Sequence, residues 1–135
     1  MTFPNFHDGF LDGFLIRQRR SIDLYLRTPE GKCYTLACHG VESLNISGVR
    51  EGNIILDVTF LRADQLTHSD VDRLQDLSPV DPVAQRIRFL QVARERALQA
   101  VVVTASYGAE CWLLCEGWTL NGRHGDEATF QDGPS

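Results

Sequence analysis

The stretch that decides the fold runs from Ser21 to His39: Ser-Ile-Asp-Leu-Tyr-Leu-Arg-Thr-Pro-Glu-Gly-Lys-Cys-Tyr-Thr-Leu-Ala-Cys-His. Ile22, Leu24 and Leu26 alternate with Asp23, Tyr25 and Arg27 at the two-residue period of a half-buried strand. Pro29-Glu30-Gly31-Lys32 is turn chemistry, and Tyr34, Leu36 and Cys38 share one face of a returning strand. A hairpin with one apolar face must cover that face, so the domain is built around antiparallel sheet.

Upstream, Gly9 to Arg17 reads as a strand carrying a tandem copy, Asp8-Gly9-Phe10-Leu11 then Asp12-Gly13-Phe14-Leu15. In an unbroken strand Asp8, Phe10, Asp12, Phe14 and Ile16 share one face. Downstream, Val41 to Ile46 is a weaker strand, and Ile54 to Leu61 is β-branched and almost continuously apolar. The chain then turns acidic from Asp64 to Asp81, with Ser69 placed to cap a short helix. Asp81-Pro82 opens a long helix near residues 82–99, with Val83, Ile87, Leu90, Ala97 and Leu98 as its apolar stripe. Ala100 to Ala105 and Glu110 to Leu120 return to strand. In the second of these, Trp112, Leu114, Glu116, Trp118 and Leu120 share a face. The expectation is an α+β fold: an antiparallel sheet of six to seven strands with one long helix packed on it. A single domain extends to residue 120, and 121–135 reads as a frayed tail.

Composition narrows the chemistry. The 135 residues carry a net charge of −5, and of thirteen basic residues only Lys32 is a lysine. Lys32 sits in a turn and is followed by Cys33, which excludes Schiff-base chemistry and a phosphate-binding loop. The acidic balance argues against a nucleic-acid partner. No apolar run is long enough to span a membrane, and the first residues lack the pattern of a signal peptide, so a cytoplasmic protein with reduced cysteines is expected.

Several polar positions are candidate sites. His7 beside Asp8, with Asp12 and Asp57, is the best acid–base cluster, provided that a bulge at Gly9 or Gly13 draws the carboxylates together. Arg86 and Arg94 flank the helix stripe and could reach a carboxylate or an anion. Tyr107 and Glu110 bracket an exposed turn suited to contacts. The four cysteines do not make a metal site: Cys33 and Cys38 point to opposite faces, and Cys111 and Cys115 stand about 13 Å apart at the strand rise. No cofactor and no metal are expected.

Three segments together, Phe6-His7-Asp8-Gly9-Phe10-Leu11-Asp12-Gly13, Arg50 to Val58 and Ser106 to Cys111, resemble a group of small uncharacterised bacterial proteins. The likeness covers residues 6 to about 120. It implies a bacterial origin and no particular activity, and it singles out His7, Asp8, Asp12, Asp57, Tyr107 and Glu110. The expected function is a non-enzymatic module binding another protein, with an immunity-type protein as a close variant. The alternatives are an acid–base enzyme using His7 with Asp8, Asp12 or Asp57, and a homo-oligomer built through sheet edges or through Trp112 and Trp118.

Overall fold

The computed structural model describes residues 3–75, 80–123 and 129–131. Its strands are β1 (Phe10–Arg17), β2 (Ser21–Arg27), β3 (Cys33–His39), β4 (Ser43–Ser47), β5 (Asn53–Arg62), β6 (Gln99–Tyr107), β7 (Glu110–Cys115), β8 (Gly117–Gly122) and β9 (Thr129–Gln131). Two helices, α1 (His68–Leu74) and α2 (Pro82–Glu95), lie between β5 and β6. The strands form one sheet in the order β4-β7-β6-β5-β1-β2-β3-β8-β9, and every pairing is antiparallel. The α+β class holds, but the described residues contain nine strands rather than six to seven. The long strand expected over Glu110 to Leu120 is broken by a bend into β7 and β8, and β9 lies in the stretch expected to be a tail.

Two bends close the sheet on itself. β3 and β4 are one path kinked at Gly40, whose φ is +61°. β7 and β8 are one path kinked at Glu116, whose N–H is shared between the carbonyls of His39 and Gly40. The two paths pair along their length, His39 opposite Gly117 and Ser43 opposite Leu114. Pairing then continues from β7 through β6, β5, β1 and β2 back to β3, which makes a barrel.

The closure creates two apolar layers. Leu24, Leu26, Leu36, Cys38, Ile55, Val101, Val103, Cys111, Leu113 and Leu120 fill the barrel. Outside it, Ala100, Val102 and Leu114 face Val71, Leu74, Leu90 and Ala93 of the helices. β6 is therefore covered on both sides, which is why Ala100–Val103 is apolar without alternation.

The kink at Glu116 also corrects the shared face expected for the tryptophans. Trp118 and Leu120 turn into the barrel with Cys111 and Leu113, while Trp112 stays on the helix side. β1 is corrected in the same way. A register shift between Leu11 and Gly13 leaves Asp12 as an extra residue. Leu11 then stands opposite Leu26, while Phe14 and Ile16 stand opposite Leu24 and Ile22. A bulge thus puts Leu11, Phe14 and Ile16 on one face.

The helices differ from expectation at their ends. α1 starts earlier: the Thr67 side chain accepts from the Asp70 N–H, and the Asp70 carboxylate accepts from the Thr67 N–H, a capping box. α2 opens at Asp81-Pro82 as expected, but it ends at Glu95 rather than near residue 99. Ala97 adopts φ +51°, Leu98 drops into the core, and Gln99 starts β6 opposite Cys115. The buried side of α2 is Leu90 and Ala93, while Val83 and Ile87 face outward. Within the stretch expected to be a tail, β8 runs to Gly122 and Thr129–Gln131 pairs with it. Residues 124–128 and 132–135 of that stretch lie outside the described residues.

Candidate functional site

The first turn brings part of the expected cluster together. The Gly9 N–H bonds the Phe6 carbonyl, the Asp8 N–H bonds the Ile55 carbonyl, and the Ile55 N–H bonds the Gly9 carbonyl. The turn is thereby stitched to β5. His7 Nδ1 lies 2.8 Å from the Leu56 carbonyl oxygen. A carbonyl only accepts, so Nδ1 carries the proton and Nε2 faces outward, 3.6 Å from Asp8 Oδ2. The bond to Leu56 and the charges of Asp8 and Asp57 raise the His7 pKa. The cluster lies open to solvent, with the His7 and Asp8 side chains 55% and 71% exposed.

The other expected residues do not join it. Asp12 turns away and receives both Nε and Nη2 of Arg27, at 3.0 and 3.1 Å, while that guanidinium also covers the Phe10 ring. Asp57 is exposed, and its Oδ1 accepts the N–H of Val58. Arg86 is held by Asp72 through two hydrogen bonds, which lower the Asp72 pKa and tie α2 to α1. Arg94 is exposed in the last turn of α2. Tyr107 is exposed opposite Ile54, and Glu110 stands opposite Ser47. Among the described residues no group of three or more His, Cys, Asp or Glu is placed to hold a metal ion.

Two polar devices were not expected. Asn53 is buried where β5 begins: its Oδ1 accepts from Arg50 N at 2.8 Å and Ala109 N at 3.0 Å, and its Nδ2 reaches the Leu11 carbonyl. It stitches three segments together where β5 begins. At the two kinks, Arg20 and Arg96 both hold Glu42 and Glu116. Arg96, aided by Arg20, holds the Glu42 carboxyl below its ordinary range.

The third feature is an edge. β1 pairs with β2 along its length, but it meets β5 only at Phe10 and Leu11. From Gly13 to Arg17, among the described residues, the side of β1 away from β2 has no strand partner. Phe14, Leu15 and Ile16 are 40%, 45% and 64% exposed there. The edges of β4 and β5 are met by other segments. Ser43 and Asn45 of β4 donate to the carbonyls of Leu74 and Arg73 at the end of α1. β5 below Ile55 is met by His7 and by Phe3, whose ring packs on Phe60. The one sign of the β1 edge in the sequence was three successive apolar residues in a strand otherwise read as alternating.

A scan against protein-family models, a search of curated proteins and a search of solved structures each return no match to this chain.

Proposed function

We propose that this chain is a non-enzymatic binding module of the bacterial cytoplasm that engages another protein through β1. The observation that carries the reading is the contiguous exposure of Phe14, Leu15 and Ile16 on a strand with a free side. Soluble domains keep most large apolar side chains off their edges, and a clustered exception marks an interaction surface. The net charge of −5 favours a basic partner, because complementary charge speeds encounter.

The acid–base alternative draws on the pairing of His7 with Asp8. That cluster is solvated, and open solvent screens the charges that a catalytic site must hold in a dry cavity. A homo-oligomer through Trp112 and Trp118 has less support, since those rings lie on opposite sides of the sheet.

Cross-linking the purified chain in extract of its native host tests the proposal. The expected result is a stoichiometric basic protein captured by the natural sequence and lost with Ile16→Lys at unchanged melting temperature. Absence of any partner at micromolar concentration, or full retention by the variant, overturns it.

A further inference from the structure

We infer that the partner is taken up as an extended segment added as a new strand along Gly13–Arg17 of β1; the inference rests on the binding reading above and specifies its mode. Four observations lead to it.

The edge follows from where the strands end. β5 begins at Asn53, opposite Leu11, so β1 runs past it, and the extra residue Asp12 at that point is fixed by two bonds from Arg27. Asn53 caps that end by reaching the Leu11 carbonyl. Beyond it β1 remains regular and paired with β2 to Arg17. Its backbone is thus held extended by one neighbour while the other side stays available.

The edge also lacks most of the usual guards. Strand edges are commonly protected by lysine, proline, an inward charge, a bulge or a covering element, and here the bulge at Asp12 stands only at the start of the edge. Gly13-Phe14-Leu15-Ile16 has no charged residue and no proline, and no described element covers it. By contrast β4 is covered by α1 and the lower part of β5 by residues 3–8.

The side chains define what is recognised. Phe14 and Ile16 lie on the side of Leu24 and Ile22, and Leu15 lies on the side of Asp23. An added strand would therefore set alternate apolar side chains beside Phe14 and Ile16 at the barrel rim, with one residue beside Leu15 on the outer face. Five residues span about 17 Å of strand, so the matching segment is short.

The charges choose the occupant. The two charges bounding the edge are already met, Asp12 by Arg27 and Arg17 by Asp23, so the line between them is apolar and neutral. A second copy of this chain would bring −5 against −5. The occupant is therefore an extended apolar segment of a protein with positive net charge, rather than another copy.

A displayed library of random octapeptides, selected against the folded full chain, tests the inference. The enriched peptides are then synthesised plain and with alternate backbone N-methylation. The expected result is enrichment of alternating apolar sequences, at least tenfold slower amide exchange within Gly13–Arg17 on binding, and at least tenfold weaker binding of the N-methylated peptides. Ile16→Lys, at unchanged melting temperature, should abolish the effect. The inference is overturned if no peptide is enriched, if protection falls elsewhere, or if N-methylation leaves affinity unchanged. It is also overturned if Gly13–Arg17 is already protected in a concentration-dependent manner without peptide, which would identify a second copy as the occupant. A partner captured from host extract that leaves these amides unprotected would sink the strand-addition mode and leave the binding reading standing. Edge-binding peptides without any host partner would do the reverse.

Discussion

Asn53 shows what one buried side chain does for this fold. Its carboxamide is the shared partner of Arg50 N–H, Ala109 N–H and the Leu11 carbonyl, where a turn, a hairpin and the end of the β1–β5 pairing meet. Gly108 must be glycine beside it, since φ is +89° and an added Cβ would overlap the Asn53 side chain. Replacing Asn53 with Ala leaves buried backbone groups unbonded, at a cost of about 1–3 kcal/mol each before relaxation. Asn53→Ala should lose about 2–3 kcal/mol of stability in urea denaturation with the m-value unchanged. Arginine works in a similar way at the surface. Arg27 lies over Phe10, Arg73 over Trp112 and Arg123 over Tyr25, while Arg17, Arg20, Arg62, Arg86 and Arg96 pair with carboxylates. The excess of arginine was plain in the sequence; that planar guanidinium groups stack and fork in these places was not, because most of the partners are distant in the chain.

Among elements, the bends and the bulge matter more than the strands they interrupt. A strand with period-two patterning is legible residue by residue, and β2 and β3 appear as read. A kink of one residue flips every side chain beyond it. It therefore moved Trp118 into the core and set Phe14 and Ile16 on the inner side of an open rim. The turn before β1 carries its own pH dependence. The folded pKa of His7 is raised, so its contribution to anchoring residues 3–9 on β5 is fully present below pH 6.5 and is lost as pH rises through the raised value. Titration of the imidazole by NMR should give a midpoint above 6.5. Exchange protection factors at Asp8 and Ile55 should fall as pH rises through that midpoint, and His7→Gln should flatten that change.

At the scale of the whole molecule, closure of the sheet divides the side chains into a barrel core, a layer under the helices and one uncovered edge. The thiols report on the first. The neighbouring Cys115 thiol and burial raise the Cys38 pKa inside the barrel, and burial pushes Cys111 up to about 12. Alkylation of the native protein at pH 8 should modify Cys33 alone, and mass spectrometry should find Cys38, Cys111 and Cys115 modified only after denaturation. The period of two, the turn residues and the Asp81-Pro82 helix start are local properties of the chain, so the sequence by itself determined the α+β class, most strand positions and the start of α2. The closure of the barrel, the docking of His7 on the Leu56 carbonyl, the separation of Asp12 from His7 and the free side of β1 were decided only in the tertiary structure. Each depends on register between segments far apart in the chain, and a single extra residue at Asp12 or a kink at Gly40 or Glu116 resets that register without leaving a pattern in the sequence.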